Sequence, residues 1–315
     1  MREEAEHVVV ALDTLVGGVH FPADTPAYDV GYKALAVNLS DLAAMGAVPT
    51  EAVAVVSMPE PLGPPWLAEF RAGLASLADS LGVAPGVVVA AVDAVPGALS
   101  VSVEVQGRCS AGKALTRVGA RAGDRIFVSG TLGDAGGGLE IALGRRPERP
   151  GASARALVAR LRRPEPRLAL GVALRGIAGS AIDVSDGLCQ DLNHILTASG
   201  VGARVDASRV PLSPALREVM GDGGARSLAL SAGDDYELLF TVAPERVGRL
   251  GTLKLADASL RHDFSSVTEA GVIEPEPGLR LTEIGVIEPE PGLRLEDAAG
   301  TAIPVPAGYR HFPTQ

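Results

Sequence analysis

Asp183-Val184-Ser185-Asp186-Gly187-Leu188, with Asp191 five residues beyond Asp186, is where residue type and spacing point most directly to chemistry. Side chains of a strand alternate between its faces, so Asp183 and Ser185 project together while Ile182 and Val184 project the other way. Asp186 falls where the strand gives way to a helix, and Gly187 permits the tight backbone there. Oxygen donors of this kind suit Mg2+, which takes one or two carboxylates and completes its shell with water and phosphate. A helix cap accounts for Asp186 alone and leaves Asp183 without a role.

Asp13, His20 and Asp41 form a second set. Asp13 ends an apolar run, a position where side chains meet ligands in α/β proteins, although an ordinary turn Asp reads the same way. Asp41 lies beside an apolar helix face, where a carboxylate is costly unless it is paired or metal-bound. His20 beside Phe21 reads equally as a structural residue. Ser129–Gly138, SGTLGDAGGG, offers successive backbone N–H groups at a helix start and so could cradle phosphate, but it lacks the GK[ST] ending of a P-loop. Asp234, Asp235 and Glu237 crowd a loop before the apolar LLF, at the edge of a core.

The elements that must position these residues follow from periodicity. HVVVAL (residues 7–12) predicts a buried strand delivering Asp13 and Thr14 to a loop, and residues 29–45 predict a helix whose apolar face is Tyr32, Leu35, Ala36, Leu39, Leu42 and Ala43. Residues 51–59 and 98–107 predict strands, with a helix over 64–81 between them. After a break at 112–123, DRIFVSG predicts a strand running into the glycine-rich turn and a helix, and residues 145–166 a loop with a short helix. SAIDVSDGL predicts a strand leading into the helix QDLNHILTASG, and LALSAGDDYELLFTV a loop closing into a strand. The second half therefore alternates strands and helices. GVIEPEPGLRL occurs at 271–281 and again, identical, at 285–295; one extra copy is no solenoid and carries no functional weight.

Composition bounds the partners. The chain has 315 residues, 47% hydrophobic and 21% charged, enough for two domains with a real core. With 28 basic against 38 acidic residues the formal charge is −10, which repels a nucleic-acid backbone. Cys109 and Cys189, the two cysteines, show neither disulfide nor zinc spacing, which fits a reducing compartment. No signal sequence or membrane-length apolar run is evident, so the expected location is the cytoplasm, away from membranes.

In order along the chain, DTLVGGVHF, NLSDLAAMGA, ARAGDRIFVSGTLGDAGGGL, DVSDGLCQDL, SAGDDYELLFTV and GYRHF closely resemble the thiamine-monophosphate kinase family, from about His7 to Phe312. The wider superfamily includes aminoimidazole ribonucleotide synthetase, selenophosphate synthetase and a related hydrogenase maturation factor. The resemblance implies an α+β, two-domain fold of the aminoimidazole ribonucleotide synthetase type. Residues 1–115 would form a mixed-sheet domain that pairs in a homodimer and binds ATP and Mg2+, and residues 116–315 an α/β domain that completes the site. It implies Mg2+ ligation by Asp13, Asp41, Asp93, Asp183 and Asp186, and ATP contacts at Thr14, Val92, Asp93, Arg117 and Ser185. Thiamine monophosphate would meet His20, Asp235, Glu237, Tyr309 and Phe312. The implied reaction is in-line transfer of the ATP γ-phosphoryl group to the phosphate of thiamine monophosphate, by positioning and charge neutralisation rather than through a covalent nucleophile.

Two departures from the family pattern carry expectations of their own. Its GDDAA-like segment ahead of the first strand is expected to be missing. Its GGDT stands here as Ala91-Val92-Asp93-Ala94, where the branched Val92 is expected to weaken ATP binding. A thiamine-phosphate-binding pseudoenzyme and another ATP-dependent superfamily member stay open as alternatives.

Overall fold

The computed structural model describes residues 5–60, 62–81, 83, 87–92, 97–146, 151–253, 272–276 and 279–308. Strands β1 (Glu6–Val16), β2 (Val48–Ser57), β3 (Val87–Val92) and β4 (Ser100–Ser110) form a first sheet in the order β1-β4-β2-β3. β4 runs antiparallel to both β1 and β2, whereas β2 and β3 are parallel. Parallel neighbours need a crossover, and helix α2 (Pro64–Ser80) supplies it.

Residues 7–12 are not the buried strand that their apolar run predicts. Val9 and Leu15 of β1 are buried, but Val8, Val10 and Leu12 are 64%, 54% and 63% exposed on the opposite face. The side-chain period of 2 sends one set to the helices, and no described element covers the other.

Helix α1 (Ala27–Ala44) departs from expectation in the opposite sense. It is buried nearly all round, polar Lys33, Asn38 and Ser40 included, because it is packed on both sides. A Cβ on Gly31 would lie 2.0 Å from the Phe70 carbonyl oxygen of α2, and one on Gly171 would lie 1.9 Å from that of Ala43. Only glycine lets the backbones approach this closely. Gly171 belongs to helix α5 (Leu168–Ala173), which grips α1 from the side of the second half.

The second sheet is built from β5 (Arg125–Ser129), β6 (Ala178–Asp183), β7 (Gly202–Asp206), β8 (Leu238–Val242), β9 (Val272–Glu276), β10 (Leu279–Glu288), β11 (Gly292–Glu296) and β12 (Ala302–Ile303). Its order is β12-β11-β7-β10-β5-β8-β6, with β9 also pairing β10. Apart from parallel β7·β11, these pairs are antiparallel, which makes the fold α+β as expected. Phe127, Leu238, Phe240 and Leu281 on one face share a core with α1 and the first sheet. Ile126, Val128, Leu239, Val205 and Ile284 on the other face pack against helix α6 (Leu188–Ser199).

Helices α3 (Asp134–Ala142), α4 (Ala152–Arg162) and α7 (Pro214–Ser231) complete the second half. LALS, expected as part of the loop before GDDYE, forms the last turn of α7. Glycines 221, 223 and 224 hide this helix, whose backbone breaks at Gly221 with φ of 69°.

Candidate active site

A cavity of about 830 Å³ opens between the two halves, lined by Asp13, Asp41, Asp183 and Asp186 together with Thr14, His20, Arg117 and Ser185. Asp13 lies on the inner face of β1 with Val9, Ala11 and Leu15, four, two and two residues away, as alternation requires. Asp41 comes from α1, and Asp183 is the last residue of β6. Beyond it the chain is laced to the loop before β8: Val184 N–H donates to Glu237 O at 2.8 Å, Tyr236 N–H to Val184 O at 2.9 Å and Asp234 N–H to Ser185 O at 2.9 Å. Gly187 turns with φ of 112°, and a Cβ there would stand 2.7 Å from the Ser231 carbonyl oxygen. Asp186 does not cap α6. Asp191, within the first turns of α6, reaches back to the turn before it, its Oδ2 accepting from the N–H groups of Asp186 and Gly187 at 3.0 Å each.

These carboxylates are poorly solvated as anions. Burial raises Asp13 above the usual carboxylate range, with His20 opposing. Burial, then the Asp183 and Asp13 charges, push Asp41 up to about 8 against the pull of Arg117. Burial also raises Asp183, although the Ser40 hydroxyl donates to its Oδ2 at 2.7 Å. Among the described residues, the one group of three whose ligand atoms lie within 4.8 Å of one another is Asp186, Asp191 and exposed His194. No three of the four cavity acids therefore bring ligand atoms that close together.

Asp235 and Glu237 stand apart from this lining, each 1% exposed. Asp235 accepts from Gly133 N–H at 2.6 Å and Ala135 N–H at 3.3 Å, holding the start of α3, and burial pushes it up to about 8. Two of the N–H groups that SGTLGDAGGG might offer a phosphate are therefore taken. The glycines of that run serve packing, since a Cβ on Gly138 would meet the Leu157 carbonyl oxygen of α4 at 2.3 Å. Glu237 receives Ser129 Oγ at 2.5 Å, Arg160 Nη2 at 3.0 Å and Arg167 Nε at 2.7 Å. Burial alone would raise it, but Arg167 and Arg160 hold it below the usual range.

Of the remaining predicted residues, Thr14 reaches the cavity while its hydroxyl pairs with Ser102 Oγ at 2.8 Å. The Val92 backbone lies in β3, while the Val92 side chain, Asp93, Tyr309 and Phe312 lie outside the described residues. The C-terminal segment does reach the cavity through Ala307 and Gly308. Sequence reasoning missed Lys33 and Tyr236. Lys33, 2% exposed on α1, pairs with Asp234 of the cavity wall at 2.9 Å. Tyr236, with φ of 52°, lines the cavity and donates to Asp234 Oδ1 at 3.0 Å. A lysine inside an apolar helical run was the available signal for the first.

Residues 2–109 match the family of AIR synthase related protein, N-terminal domain, and residues 121–258 match its C-terminal domain. Thiamine-monophosphate kinase of Salmonella typhimurium is 44% identical over 264 residues, 84% of this chain and 79% of the relative. Among solved structures, the thiamine-monophosphate kinase of Stenotrophomonas maltophilia K279a superimposes with a TM-score of 0.79 at 40% identity, covering 96% of this chain and 88% of that one. The AaThiL complex with AMPPCP and TMP gives a TM-score of 0.79 at 30% identity over 98% of this chain and 88% of that one. Sequence, fold and a cleft whose carboxylates come from both halves agree, and the chain belongs to the thiamine-monophosphate kinase family of AIR synthase related proteins.

Proposed function

We propose that this chain phosphorylates thiamine monophosphate to thiamine diphosphate, taking the γ-phosphoryl group of ATP and releasing ADP. The observation that carries the reading is the convergence of Asp13 and Asp41 from the first half with Asp183 and Asp186 from the second on one cavity. Relatives named for this reaction, and a structural neighbour that holds AMPPCP and TMP together, support it. Mg2+ fits the donor set, because all four groups are hard carboxylates and burial disfavours Asp13, Asp41 and Asp183 as bare anions. When bound, it supplies neutralising charge to phosphates that would otherwise repel these acids.

The chain's own residues do the positioning. Arg117 and Arg145 bring cationic side chains to the same cavity, suited to phosphate oxygens. Ser185 lies between two of the acids and offers a hydroxyl to the nucleotide. His20 Nδ1 accepts the Val16 N–H at 2.9 Å, which orients the ring that this reading assigns to the substrate. No acid–base residue or nucleophile need lie between the two phosphates, since transfer is in line.

The same reading takes residues 1–115 and 116–315 as its domains and a homodimer as its working form. Exposed Val8, Val10, Leu12, Val53 and Val55 on the open face of the first sheet support the latter. A cytoplasmic location is supported by two buried free cysteines and by the finding that no described helix is long and apolar enough to cross a membrane. The test is chromatographic measurement of thiamine diphosphate and ADP from thiamine monophosphate, ATP and Mg2+. ADP without thiamine diphosphate would transfer the reading to another acceptor, and neither product would end it.

A further inference from the structure

Ser40 is fully buried on α1, immediately before Asp41. A serine inside a helix ordinarily turns its hydroxyl to the carbonyl four residues back. This one reaches out of its helix and donates to Asp183 Oδ2 at 2.7 Å, joining residues 143 positions apart. The bond crosses from the first half to the end of β6 in the second. It occupies one carboxylate oxygen, and the residue's own backbone N–H also supports the carboxylate. Asp183 is 5% exposed, and Ser40 is the only side chain that hydrogen-bonds it among the described residues. Free rotation of the carboxylate is thereby removed by a group that is itself immobilised in a helix packed on both sides.

We infer that Ser40 is a positioning residue: its hydroxyl fixes the Asp183 carboxylate for cation binding and makes that binding depend on the two halves being packed together. The inference rests on the proposed kinase reading, and it assigns to Ser40 no contact with substrate. Partners that orient a metal ligand typically change metal affinity by roughly 10- to 100-fold when removed.

The test measures Mn2+ binding by the loss of its free-ion electron paramagnetic resonance signal, with AMPPCP present, on the full chain. Ser40→Ala should raise the Mn2+ dissociation constant by roughly 10- to 100-fold at a temperature where melting curves show it folded. In an Asp183→Asn background the same change should alter it by less than about twofold, since the hydroxyl then has no carboxylate to hold. Ser40→Cys keeps the volume while weakening the donor, and it should shift binding the same way if the alanine chain does not fold. Unaltered Mn2+ affinity in Ser40→Ala, or the same factor in both backgrounds, overturns the positioning role. A wild-type chain that holds no Mn2+ overturns the metal reading itself, which separates the two failures.

Discussion

Replacing Glu237 by Gln separates a structural role from a substrate-binding one. The family resemblance assigns this side chain to the thiamine end, whereas the fold surrounds it with Ser129, Arg160 and Arg167. Gln keeps the volume and one acceptor but takes the buried anion from both Arg160 and Arg167, leaving Arg167 only the exposed Glu165 at 3.1 Å. Removing one partner of a buried pair costs about 3–5 kcal/mol. Arg160 and Arg167 side chains retain 21% and 17% exposure, so water recovers part of the loss. An expectation of about 2–4 kcal/mol follows. At ~2–4 °C per kcal/mol, the melting midpoint should fall by roughly 4–16 °C. The pH dependence has a definite sign. Glu237 is held below its ordinary value of 4.5, so the stabilisation is fully present above that value and disappears as pH falls through the lower folded-state value. The gap between wild type and variant should therefore close in acid. Differential scanning calorimetry across pH measures the gap, and thiamine diphosphate formation well below the midpoint gives the KM for thiamine monophosphate, expected unchanged. A midpoint equal to wild type with a tenfold higher KM would refute this reasoning and return Glu237 to the substrate.

Three further outcomes are expected. Asp235 keeps a proton in the fold near pH 7, because burial lifts it to about 8 from 3.8, so wild-type stability should fall as pH rises between those values; Asp235→Asn should flatten that slope in a melting series, and Asp235→Ala should cost about 1–2 kcal/mol through loss of the α3 cap. Gly73→Ala would put a Cβ 1.8 Å from the Tyr28 carbonyl oxygen and should cost about 1–3 kcal/mol or more, read as a lower denaturation midpoint with an unchanged slope. Leu12→Glu, on a face 63% exposed at that residue, should give monomers by sedimentation velocity with the thermal midpoint of the subunit little changed.

What could be read in advance followed the physics of each segment. Apolar runs and the helical period located β1, β4, β6, α1, α2 and α6 to within a few residues, because those signals are local to each segment. The same periodicity could not reveal that α1 is enclosed on both sides or that one face of β1 is bare, since both depend on where other elements land. In the site, Asp183 and Asp186 were legible because a strand end, a glycine and paired carboxylates coincide. Ser40 was not, because its only distinctive feature is a bond to a residue 143 positions away. The acids of GDDYE were legible as a cluster but not as individuals. Backbone conformations at Asp234 and Tyr236, with φ of 67° and 52°, turn Asp234 to the cavity and Asp235 to the helix start.

The duplicated GVIEPEPGLRL carries this limit further, because there the local sequence is held constant. In the first copy β9 and the start of β10 pair with each other, placing Ile273 opposite Leu281. Their counterparts in the second copy, Ile287 and Leu295, lie on either side of β7, opposite Ala203 and Val205. Propensity and pattern are identical in the two copies, so what separates them is the presence of β7 between the arms of the second. Gly202 at the start of β7 permits that insertion: a Cβ there would stand 1.8 Å from the Glu290 carbonyl oxygen in the turn that joins β10 to β11. The same principle governs the cleft, where Asp41 and Asp183 gain their chemistry from packing across the two halves rather than from the segments that contain them.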